Sequence, residues 1–100
     1  MLSGCTRGAD LNVVNRSTAE LTNVVATGSG FTTQSIGSIP AGAQRRVSLS
    51  VPSESDLGLD FDANGKHFTL EPQGYFEGGF NYKVIVTVSP AFTVTVDAKQ

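Results

Sequence analysis

Residues 60–71 read DFDANGKHFTLE, and no other stretch narrows the possible fold as far. Asn64-Gly65 is the preferred pair for a type I′ turn, which needs positive φ at both central residues and whose twist matches the strands it joins. A two-residue loop there sets Ala63 against Lys66, Asp62 against His67, Phe61 against Phe68, Asp60 against Thr69 and Leu59 against Leu70. Every pair agrees in character. Leu59, Phe61, Phe68 and Leu70 fall on one face and Asp60, Asp62, His67, Thr69 and Glu71 on the other, the pattern of an antiparallel hairpin with one side buried.

The rest of the chain is punctuated in the same way. Clusters of Gly, Pro, Asn and Ser separate short runs at 10–15, 21–27, 32–39, 44–51, 57–62, 67–71, 80–88 and 92–97. These runs are rich in Val and Thr, whose branched side chains suit a pleated sheet and lose rotamer freedom in a helix. One stretch carries a competing signal: Ser17 to Glu20 fits a capping box, and Leu21, Val24 and Val25 stand at helical spacing. Thr22, Asn23, Val24, Val25 and Thr27 are weak helix formers, so a turn and a strand are expected there. In the last two runs an odd loop, Ser89-Pro90-Ala91, pairs Val88 with Phe92, Val86 with Val94 and Val84 with Val96, whereas an even loop sets Val against Thr. Ile85 breaks the alternation, which places its strand at the centre of a sheet with both faces covered. The expectation is all-β: one antiparallel β-sandwich of seven to eight strands, immunoglobulin-like or transthyretin-like, over 11–100, preceded by a leader and tether at 1–10.

Asp60, Asp62, Asn64, Gly65 and Glu71 also satisfy the spacing of a helix-flanked calcium loop, and the stretch resembles that family at these positions. Its flanks do not: Leu57-Gly58-Leu59 enters, Pro72 follows the last ligand position, and His67 stands where an aliphatic residue is usual. No metal site is favoured, the weak alternative being loose cation binding by Asp60, Asp62 and Glu71 on the polar face. His67 is the single histidine and Cys5 the single cysteine, too few ligands for a zinc site. No G-x-S-x-G elbow or phosphate-binding glycine loop occurs, so no enzyme and no cofactor are expected. Asn15-Arg16-Ser17 matches a glycosylation sequon but reads as a turn. A net charge of −2 and 16% charged residues give no electrostatic footprint for nucleic acid.

The leader is informative. Leu2-Ser3-Gly4-Cys5 resembles the lipobox of bacterial lipoproteins, in which the cysteine is acylated and becomes the first residue of the mature protein. Only Met1 precedes the box, so the charged and apolar regions of a signal peptide are not among these residues. The resemblance implies membrane attachment through lipid on Cys5. Thr6 in place of Asp implies, by the family's sorting rule, the outer membrane, facing the periplasm. With the first alternation starting at Leu11, about five tether residues of roughly 3.5 Å each hold the domain within 20 Å of its anchor. A membrane-proximal envelope protein is therefore the expected partner, and the protein itself is expected to be monomeric.

Residues 71–82, EPQGYFEGGFNY, combine three glycines and a proline with Tyr75, Phe76, Phe80 and Tyr82 and read as the longest irregular segment. Tyr75, Phe76 and Glu77 are the candidate partner-binding residues, because loops on a rigid scaffold carry recognition and aromatic rings give contact area at low entropic cost. Arg45 and Arg46 read as charges protecting a sheet edge. Two functions follow: a non-enzymatic envelope lipoprotein acting by protein-protein interaction as adaptor, accessory subunit or inhibitor, including immunity proteins, or a module for carbohydrate or a divalent cation.

Overall fold

A computed structural model of the protein describes residues 8–51, 54–77 and 82–99, with side chains except at 8 and 73–77. The lipobox and Cys5 lie outside the described residues. Eight strands follow in order: β1 (Gly8–Asn15), β2 (Leu21–Thr27), β3 (Gln34–Ile39), β4 (Gln44–Ser50), β5 (Glu54–Ala63), β6 (Lys66–Glu77), β7 (Tyr82–Val88) and β8 (Val94–Lys99). They form two four-stranded sheets, ordered β4-β1-β7-β8 and β3-β2-β5-β6. All pairings are antiparallel except β1 with β7, which is parallel. That exception to the expected antiparallel sandwich has a simple origin: β7 reaches β1 by a crossing from the other sheet, so no hairpin forces the two to oppose. Constant immunoglobulin domains keep strands 1, 2, 5 and 4 in one sheet; here β1 and β2 lie in different sheets, a different strand order.

Alternate side chains fill the space between the sheets. Leu11 and Val13 of β1 and Val84, Val86 and Val88 of β7 meet Leu21, Val24 and Ala26 of β2 and Leu57, Leu59 and Phe61 of β5, all fully buried. Burial of each Val, Leu or Phe stabilises the fold by about 1.5–3 kcal/mol. Phe61 stacks on Phe68 with ring centroids 5.1 Å apart, and Phe68 on Phe92 at 5.0 Å, so a row of three rings runs from the core to the gap between β6 and β8.

The 59–70 hairpin has the register read from its sequence, pair for pair from Ala63 and Lys66 to Leu59 and Leu70. Asn64 and Gly65 have φ of 52° and 72°, as a type I′ turn requires. The β7–β8 hairpin keeps its three-residue loop but moves it one residue along, to Pro90-Ala91-Phe92. Ser89 N–H donates to Thr93 O and Phe92 N–H to Ser89 O, both at 2.9 Å. Val88 therefore faces Val94, Val86 faces Val96 and Val84 faces Ala98. Phe92 turns the corner in the left-handed region, φ 62°, instead of opening the strand.

The helical spacing of Leu21 and Val24 also has a β explanation. A register irregularity lies between them, and Asn23 there has φ 51°. The additional residue lets Leu21 and Val24, three apart, both point into the core. Asn23→Gly is expected to leave stability nearly unchanged. Asn23→Val, which disfavours positive φ, is expected to cost about 1–3 kcal/mol in urea unfolding.

Two further expectations are corrected. Residues 71–77 are not irregular: β6 continues through them, opposite β5, with register shifts on either side of the Leu57–Gln73 pair that absorb two more residues on β6 than on β5. Pro72, which has no N–H, is tolerated on this edge strand near such an irregularity. β7 is central, as read from Ile85, but its outer face is open: Ile85 is 42% exposed. Among the described residues no strand or loop covers it, because its sheet is the outermost layer there.

Candidate functional site

On the outer face of the β5–β6 hairpin, the expected polar residues meet only in part. Asp62 Oδ1 lies 2.6 Å from His67 Nδ1, and Asp62 Oδ2 accepts a hydrogen bond from Asn23 Nδ2 at 3.0 Å. Both oxygens are thus engaged by the protein itself. The Asn23 bond, and then the one to His67, hold the Asp62 carboxyl below its ordinary range. Asp60 faces Thr69 and Val25, and Glu71 is exposed beside the β6 irregularity. Among the described residues no three His, Cys, Asp or Glu side chains converge as metal ligands, so Asp60, Asp62 and Glu71 are not assembled into a site.

A depressed carboxyl contributes stability that is present above the unfolded-state value and lost as pH falls through the folded-state one. Asp62→Asn is therefore expected to flatten the acid side of the stability profile while changing neutral stability little, because the cluster is exposed, with side-chain accessibilities of 62% for His67 and 36% for Asp62. Urea midpoints of both proteins across the acid range read this directly.

Asn15 of the sequon is fully buried. Its Nδ2 donates to Ala19 O (2.8 Å), Ile39 O (3.0 Å) and Pro40 O (3.2 Å), and its Oδ1 accepts from Ser17 N–H (3.0 Å) and Ser17 Oγ (2.6 Å). Glycosylation would need this amide nitrogen free, so in the folded chain the triplet is the turn it was read as.

Of the candidate partner-binding residues, Tyr75, Phe76 and Glu77 belong to β6. Phe76 stands opposite Ser55 and Glu77 opposite Glu54; their side chains lie outside the described residues. Arg45 and Arg46 lie on β4, an edge strand, as expected.

The residues that sequence reasoning missed are on the outer face of the first sheet. Register places Arg46, Asn12, Ile85 and Asp97 in one row across β4, β1, β7 and β8, and Ser48, Asp10, Lys83 and Lys99 in the next. Between β4, β1 and β7 lies a half-open depression of about 340 Å³ walled by Asp10, Asn12, Arg46, Ser48, Lys83 and Ile85. Asn12 Nδ2 donates to Gln44 Oε1 at 3.3 Å, while Asn12 Oδ1 is shielded from solvent without a hydrogen-bond partner. The one sequence signal for this surface was Ile85, an aliphatic residue at a polar-face position.

No family model and no curated protein matches the chain. Among solved structures it is similar to a protein from Eubacterium rectale determined by NMR, with a TM-score of 0.64 at 17% identity, the match covering 100% of this chain and 96% of that one. Likeness at that identity is a likeness of fold. No helix among the described residues is long and apolar enough to cross a membrane.

Proposed function

We propose that the protein is a non-enzymatic envelope lipoprotein, anchored through lipid on Cys5 and acting by binding a membrane-proximal protein. The observation that carries this reading is Leu2-Ser3-Gly4-Cys5 placed directly ahead of a folded domain: β1 starts at Gly8, only Thr6 and Arg7 beyond the cysteine. Three steps of at most roughly 3.5 Å keep the first strand within about 10 Å of the Cys5 backbone, a shorter reach than the alternation alone implied. Two or more acyl chains on one residue give stable attachment, since each buried CH2 contributes about 0.8 kcal/mol. Outer-membrane placement follows from Thr6.

Binding through a sheet face or through 75–77 is the reading that the fold accommodates. Metabolic labelling with an alkyne fatty acid, with the protein expressed from its own gene in its native host, is expected to tag the wild-type chain and send it to the membrane fraction. Cys5→Ser is expected to lose the tag and stay soluble. An unlabelled wild type, or a label that survives Cys5→Ser, refutes the anchor.

A further inference from the structure

We infer that the depression on the outer face of β4-β1-β7 is the docking site for an extended acidic segment of the partner protein. The inference rests on the interaction reading above and supplies its surface. Two features converge there. Arg46 and Lys83 flank the depression, and neither side chain makes an ion pair or hydrogen bond with another described residue. Ile85, two residues from Lys83 on β7 and separated from Arg46 in its row by Asn12, is the one large hydrophobic side chain among the described residues left exposed.

The donor set selects the class of ligand. Two cations call for carboxylates and an exposed isoleucine for an aliphatic side chain. An extended peptide with acidic residues two places before and after an aliphatic one presents all three on one side, because alternate side chains share a face. A carbohydrate brings neither the charge nor the aliphatic group. Asp10 opposes Lys83 in the register and restricts the site, placing Arg46 as the stronger carboxylate contact.

The probe is acetyl-Asp-Ser-Leu-Ser-Asp-amide, titrated into the isotope-labelled full chain and followed by amide shifts, with the Asn-for-Asp pentapeptide as control. Saturable shifts are expected at 10–12, 46–48 and 83–85. Arg46→Glu and Ile85→Lys, both at exposed or open positions, are expected to keep the dispersed spectrum and weaken binding roughly tenfold, a loss in the range of one charge-assisted contact. No saturable shift, shifts centred elsewhere, equal binding of the neutral peptide, or shifts that follow protein concentration alone and so mark a second copy, would each overturn the inference. Cross-linking in native envelopes separates it from the reading beneath it. A partner held by wild type and by both variants refutes this surface and leaves the lipoprotein reading standing; no partner for the wild type refutes that reading.

Discussion

Phe61→Ala is expected to lower the unfolding free energy by about 3–5 kcal/mol, the usual cost of emptying a ring-sized space in a packed core. Phe61 has no exposed surface, pairs across strands with Phe68, and begins the row of rings that ends at Phe92. Its removal takes away packing for both sheets and leaves Phe68 with one stacked neighbour, Phe92, in place of two. Against a total stability of roughly 5–15 kcal/mol for a domain of this kind, the loss is a large fraction. Phe61→Leu keeps much of the volume and should cost about 1.5 kcal/mol or less. Urea unfolding followed by circular dichroism reads both. Equal losses in the two variants would mean that ring geometry, not filled volume, dominates the site.

Asn15→Ala is the second large effect. The amide holds the 16–20 connection to the 39–40 segment, while Asn15 N–H donates to Ala43 O and Arg16 N–H to Val88 O. Removing the side chain strands the Ser17 N–H and weakens three carbonyl interactions in a buried setting. At about 1–3 kcal/mol for each buried group left unmatched, a total near 3 kcal/mol or more is expected. Asn15→Asp has the same shape but presents a carboxylate to carbonyl oxygens. Burial and those oxygens favour its neutral form, so the stability of this variant should be greater in mild acid and fall as pH rises through the raised folded-state value. An Asn15→Asp protein with the wild-type pH profile would show that the amide donors do not hold these connections.

The parts of the fold that were legible in sequence are those fixed by local rules. The 59–70 hairpin needed only period-two alternation and one Asn-Gly pair, and its register follows residue by residue. The β7–β8 loop length was legible but its position was not, because the left-handed corner is occupied by Phe92 rather than by a glycine that would have marked it. At Leu21 and Val24 a strand irregularity imitates helical spacing, a degeneracy that periodicity alone cannot resolve. In 71–77, proline and glycine suggested a loop, yet an edge strand accommodates both. The division into two sheets was out of reach, since it depends on pairings such as β1 with β4 and β7 that join residues far apart in sequence. The same pairings assemble Asn12, Arg46 and Ile85, so the depression could not be read from any one segment.

The central position of β1 has a mechanical consequence. A pull applied through the residues ahead of Gly8 is transmitted to a strand held by seven register pairs to β4 and seven to β7. The load falls on both ladders in shear, so many hydrogen bonds must fail together. A pull through Lys99 instead meets an edge strand held on one side, which can peel one pair at a time. Tension arriving from the side of Cys5 therefore meets the stiffer attachment of the two, and single-molecule extension from either end should give the higher unfolding force when the handle precedes Gly8.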